Sequence, residues 1–154
     1  MPIWEPKQLA GQIRKGELQN LYYIYGADLV QVRQLTSALI KKATGGAPDM
    51  ALTRMDGQKL ELKALEDAAR QFSMFSEYNC IQVHDCNADS LREEQLKQLL
   101  ELLKTVGGAT VLIFDVTGFD VKNGKRNPTG RNKKLIDCIA KYGVVCEAVQ
   151  RTPA

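Results

Sequence analysis

The sequence contains a single histidine, His84, and no two of its four cysteines stand in a C-x-x-C spacing. A structural zinc site needs four such ligands, usually in local pairs, so no metal motif can be assembled. Cys80, Cys86, Cys138 and Cys146 are read instead as buried, reduced thiols, the ordinary state of free cysteine. No G-x-S-x-G occurs, which removes the nucleophile elbow and leaves His84 with nothing nearby to activate. Apolar runs of membrane-spanning length are missing, and so is the charged-then-apolar start of a secretion signal. Net charge is small as well: +3 is too mild to argue for nucleic acid by itself. These absences point to a cytoplasmic protein without a membrane partner or a cofactor.

What is present is one domain's worth of core. With 154 residues and 44% hydrophobic side chains, the chain can bury one full core but not two comfortable ones. Five short apolar runs alternate with helical patterns: Leu21–Tyr25, Leu52–Met55, Cys80–His84, Thr110–Asp115 and Val144–Val149. The unbroken Val111-Leu112-Ile113-Phe114 suits a strand covered on both faces, as in a parallel sheet. Between the runs, Pro6 opens a first helix that Gly16 stops. Asp28 caps a second, which carries Val32, Leu35 and Leu39 on one face and ends at Gly45-Gly46. A third carries Leu62, Leu65, Ala69 and Phe72. A fourth starts from the capping box Ser90-Leu91-Arg92-Glu93, and a fifth stops at Gly143, read as a left-handed cap. Strict alternation predicts an α/β three-layer sandwich around a five-stranded parallel sheet with right-handed crossovers.

Ligands of open parallel sheets bind beyond the carboxyl ends of the strands, so those ends decide the chemistry. After the first strand comes Tyr25-Gly26-Ala27-Asp28-Leu29. A phosphate loop needs several glycines, a lysine and a Ser or Thr, and here there is one glycine, no lysine and a repelling Asp. Asp85, after the third strand, could hold a divalent ion in a vestigial or active nucleotide hydrolase, but no neighbouring carboxylate follows it as a base. Asp115 sits where a receiver domain carries its phospho-acceptor, yet the acidic pair and the lysine that go with it are missing. Turn and strand-end roles suit both aspartates better. The run 122–134 holds six basic residues and no acid, and Lys125, Arg126 and Arg131 are its candidate phosphate contacts. It has no aromatic residue to stack on bases, and a solvated turn is its simpler role.

The remaining oddity is Phe72-Ser73-Met74-Phe75-Ser76, large apolar side chains in a helix-to-strand joint where polar residues are the norm. Phe72 continues the inward stripe of the third helix. Met74 and Phe75 fall beyond it, and two adjacent large side chains cannot easily both face one core. Burial of such a side chain in a partner's pocket is worth about 1.5–3 kcal/mol, enough to anchor an interface.

In this segment, in Leu21-Tyr22-Tyr23-Ile24-Tyr25-Gly26-Ala27-Asp28, in Thr110–Asp115 and in Gly143-Val144-Val145-Cys146-Glu147, the chain resembles the N-terminal domain of the delta subunit of bacterial DNA polymerase III, from the sliding-clamp loader. The likeness covers nearly the whole sequence. It implies an AAA+/RecA-like domain without a functional P-loop, occupying 1–149, with 150–154 beginning a linker to further helical domains absent here. It also implies that the segment is a hydrophobic wedge for the beta sliding clamp, Met74 and Phe75 matching the two wedge positions and Phe72 and Ser73 flanking them. The same resemblance implies ring opening without catalysis by this domain. Other loader subunits would join through the absent domains and supply ATP hydrolysis, and DNA would be reached only indirectly. The basic segment Lys122–Lys134 is longer than the family's usual turn.

Overall fold

The computed structural model describes residues 3–46, 51–71, 77–122 and 124–149. Its elements run α1 (Pro6–Lys15), β1 (Leu21–Tyr25), α2 (Leu29–Ala43), β2 (Leu52–Asp56), α3 (Leu62–Ala69), β3 (Asn79–His84), α4 (Glu93–Thr105), β4 (Thr110–Asp115), α5 (Gly130–Tyr142) and β5 (Val144–Glu147). All five strands are parallel, in the order β2-β3-β4-β1-β5. The three-layer α/β architecture read from the sequence is therefore the one observed.

The apolar runs explain the layering. Every residue of β1 and β4 is buried, because helices cover both faces of the sheet centre. On one face Leu9 and Ile13 of α1 and Val32, Leu35 and Leu39 of α2 pack on Tyr22, Ile24, Val111 and Ile113. On the other, Leu65 of α3, Leu96, Leu99 and Leu103 of α4 and Leu135 and Ile139 of α5 pack on Tyr23, Ile81, Leu112 and Phe114. The β5 edge is covered by Trp4, whose amide donates to the Val145 carbonyl at 2.8 Å and whose carbonyl accepts from Glu147 at 3.1 Å.

Most punctuation acts as the sequence suggests. Pro6 occupies the first turn of α1, and Gly16 (φ 75°) closes it. The Asp28 carboxylate accepts from the Gln31 amide at 3.1 Å and caps α2. Gly45 and Gly46 take positive φ angles just past that helix.

Three expectations are corrected. The helix predicted from Ser90 starts at Glu93, with the Gln95 side chain accepting from the Arg92 amide at 2.9 Å. Ser90 instead ends a short 3₁₀ turn capped by Asn87, and Leu91 stays extended while its carbonyl accepts from the Arg131 guanidinium. Gly143 is not left-handed: a Cβ there would sit 2.2 Å from the Leu21 carbonyl oxygen, so close approach of α5 to β1 requires the glycine. The last strand ends at Glu147 rather than Val149, because Ala148 turns inward to bond the β1–α2 joint.

The cysteines contain no disulfide. Cys80, Cys86 and Cys146 are buried, and burial pushes their thiols up to about 12, where thiolate chemistry is lost.

Candidate functional site

The joint Phe72–Ser76, with the proposed wedge residues Phe72, Ser73, Met74 and Phe75, lies outside the described residues. Its two ends do not. At the carboxyl end of α3 the backbone carbonyls lack helical partners. The buried Asn79 side chain donates to the Ala68 carbonyl at 2.7 Å, and the Thr110 hydroxyl donates to that of Ala69 at 2.9 Å. The Asn79 amide in turn donates to the Ala109 carbonyl at 2.8 Å. The end of α3 is thus fastened to the first residues of β3 and β4, and the segment between them starts and finishes on fixed points.

At the carboxyl end of β1, the β1–α2 joint is a closed turn. The Ala148 amide donates to the Tyr25 carbonyl at 2.7 Å and the Asp28 amide donates to the Ala148 carbonyl at 3.2 Å. A Cβ on Gly26, whose φ is 141°, would fall 2.1 Å from that carbonyl oxygen. The glycine serves backbone packing, not an anion cradle. Beside it lies a cleft of about 550 Å³ bordered by Tyr25, Thr117, Lys122 and Glu147. Lys122 and Glu147 form an ion pair across it. The Asp120 carboxylate accepts from the Gly124 amide at 2.8 Å and the Lys122 amide at 2.9 Å, which hold it below its ordinary range.

The other strand-end acids are committed internally. Asp85 is buried in a left-handed conformation (φ 56°), and one carboxylate oxygen accepts from the Thr117 amide at 2.7 Å and the Gly118 amide at 2.9 Å. Asp115 is buried too, accepting from the Gln82 side chain at 3.1 Å and from His84 Nδ1 at 2.7 Å. His84 bridges the two acids, its Nε2 lying 3.2 Å from Asp85. These are turn-capping and strand-end roles, in which both carboxylates accept from donors within the chain.

The His84 cluster carries a pH dependence. Burial alone pulls the imidazole down, but the hydrogen bond and charge of Asp115, helped by Asp85 and Asp56, carry it above its ordinary value. A group raised in the folded state stabilises fully below its unfolded value of about 6.5 and loses that stabilisation as pH rises through the folded value. Urea unfolding of the wild type and His84→Gln at pH 5.5 and 8.5 should show the wild-type advantage only at the lower pH. An equal difference at both would remove protonation from the account.

The basic segment is split by the fold. Lys125 and Arg126 are exposed, whereas Arg131 is turned inward: its amide donates to Asp89 at 3.0 Å and its guanidinium to Leu91. Sequence reasoning missed Asn79, Thr110 and Ala148, since each acts through a partner far away in the chain.

A family model described as DNA polymerase III, delta subunit, matches residues 22–141, spanning both the α3–β3 joint and the closed turn at Gly26. The chain belongs to that family. Among solved structures, this delta-family chain is similar to the Bacillus subtilis DNA clamp loader delta protein, with a TM-score of 0.74 and 16% identity over 96% of this chain and 43% of that one. The chain spans less than half the length of that protein. Curated proteins gave no match. No helix among the described residues is long and apolar enough to cross a membrane.

Proposed function

We propose that residues 1–149 of this delta-family chain form a degenerate AAA+ unit that binds a ring-shaped beta sliding clamp through Phe72, Ser73, Met74 and Phe75. Met74 and Phe75 are the wedge that enters a hydrophobic pocket on the clamp and favours the open ring. The observation that carries this reading is the delta-subunit match over residues 22–141, a span that includes those four positions. Opening requires only that the chain bind the open ring more tightly than the closed one. No bond chemistry is needed from this chain, and sister subunits of the loader supply ATP hydrolysis. The internal commitments of Asp28, Asp85 and Asp115 support a non-catalytic role. Lys125 and Arg126 remain available for nucleic-acid phosphates, while Arg131 contributes through the turn it holds. The protein works in the cytoplasm as part of a DNA replication assembly.

Titration of a fluorescently labelled bacterial sliding clamp with this chain, with and without ATP, tests the reading. Saturable binding of equal strength in both conditions is expected. Binding that appears only with ATP would restore the nucleotide-dependent alternative at Asp85, and no binding at all would end the clamp assignment.

A further inference from the structure

The sheet face beneath α2 changes character from one side to the other. Pairing aligns Arg54 of β2 with Gln82 of β3 and Ile113 of β4, and Asp56 with His84 and Asp115. Neighbours in register share a face, so the surface that is apolar at Tyr22, Ile24, Val111 and Ile113, and still apolar at Cys80 and Leu52, turns polar toward the carboxyl ends of β2 and β3. A buried sheet face is ordinarily apolar, so a polar corner on it stands out. Here Arg33 and Ser37 of α2 meet Arg54, Gln82, His84 and Asp115 around an open cleft of about 430 Å³.

The charges facing the cleft are mainly positive. Arg33 and Arg54 are exposed, and neither makes an ion pair among the described residues. Asp115 is turned to internal donors, and Asp56 accepts from the Gln58 amide at 2.9 Å. Two guanidinium groups offer paired donors that match the oxygens of a phosphate. The lining has no Phe, Tyr or Trp to hold a base, and the His84 ring is engaged by Asp115 and Asp85, so recognition rests on charge. We propose that this corner binds backbone phosphates of a nucleic acid strand through Arg33 and Arg54, without reading sequence. The proposal does not rest on clamp binding.

The test is fluorescence anisotropy of a labelled 20-base-pair duplex with this chain, across about 50 to 200 mM salt. Each neutralised phosphate adds about 0.9 to the log–log salt slope, so losing two contacts should flatten it by about 2. Arg33→Ala/Arg54→Ala should therefore bind about tenfold less steeply over that fourfold range. Both positions are exposed, and circular dichroism checks that the variant stays folded. An unchanged slope overturns the proposal, as does a wild type that does not bind. It also fails if Lys125→Ala/Arg126→Ala alone removes the binding, or if the Arg33/Arg54 variant keeps the duplex and loses only the clamp.

Discussion

Met74→Ala/Phe75→Ala is expected to weaken clamp binding at least hundredfold while leaving the fold intact. Each truncated side chain forfeits about 1.5–3 kcal/mol of apolar burial in the partner's pocket. Together that is roughly 3–6 kcal/mol, or two to four decades in affinity at about 1.4 kcal/mol per decade. Binding is measured against the labelled clamp, and stability by thermal unfolding of the free chain. The two readouts separate a wedge from a pair of core residues. Loss of binding with little change in melting temperature identifies residues that face a partner. A melting temperature lowered by several degrees with binding retained identifies core residues, because large-to-small core truncations cost about 2–5 kcal/mol. That second outcome would overturn the wedge.

Gly26→Ala should be the most damaging single methyl in the described structure. The new Cβ would lie 2.1 Å from the Ala148 carbonyl oxygen and 2.6 Å from its amide nitrogen, both fixed backbone atoms. Overpacking costs about 1–3 kcal/mol, and the positive φ adds roughly 1–3 more. Against a domain stability of about 5–15 kcal/mol this is a large fraction, worth around 10 °C in melting temperature. The result discriminates between two roles of one residue. A glycine retained for close approach of phosphate would leave the ligand-free fold nearly undisturbed on substitution to alanine. A fully stable Gly26→Ala protein would therefore reopen the phosphate-loop reading that the closed turn argues against.

Much of this arrangement was legible in the residues. Continuous apolar runs such as Val111–Phe114 suit a doubly covered strand, and Asp28, Gly16 and Gly45-Gly46 mark helix ends through local chemistry. What was hidden depends on distant pairing. Ser90-Leu91-Arg92-Glu93 has the composition of a capping box, but Arg131 holds Leu91 extended from 40 residues away. The need for glycine at position 26 shows only when Ala148 is brought against it. The arginine corner has no signature in any one segment, because Arg33 lies on α2 and Arg54 on β2, while the acids that face inward there are set by the register of β3 and β4. Of the wedge, the sequence offered only an anomaly, four apolar or small residues where a turn belonged. The family match spans that anomaly, and its role as a wedge is the proposal that the double variant tests.

The fastening of α3 to the sheet has a mechanical consequence. A pull applied at the carboxyl end of α3 reaches the sheet through Asn79 and Thr110, the first residues of β3 and β4. β4 is the middle strand of the five, and β3 lies beside it, each paired on both edges. Force directed along these strands shears many ladder bonds together instead of peeling an outer strand one bond at a time. The attachment of α3 to the sheet is therefore stiff, and a load on it is shared among many bonds before any strand gives way.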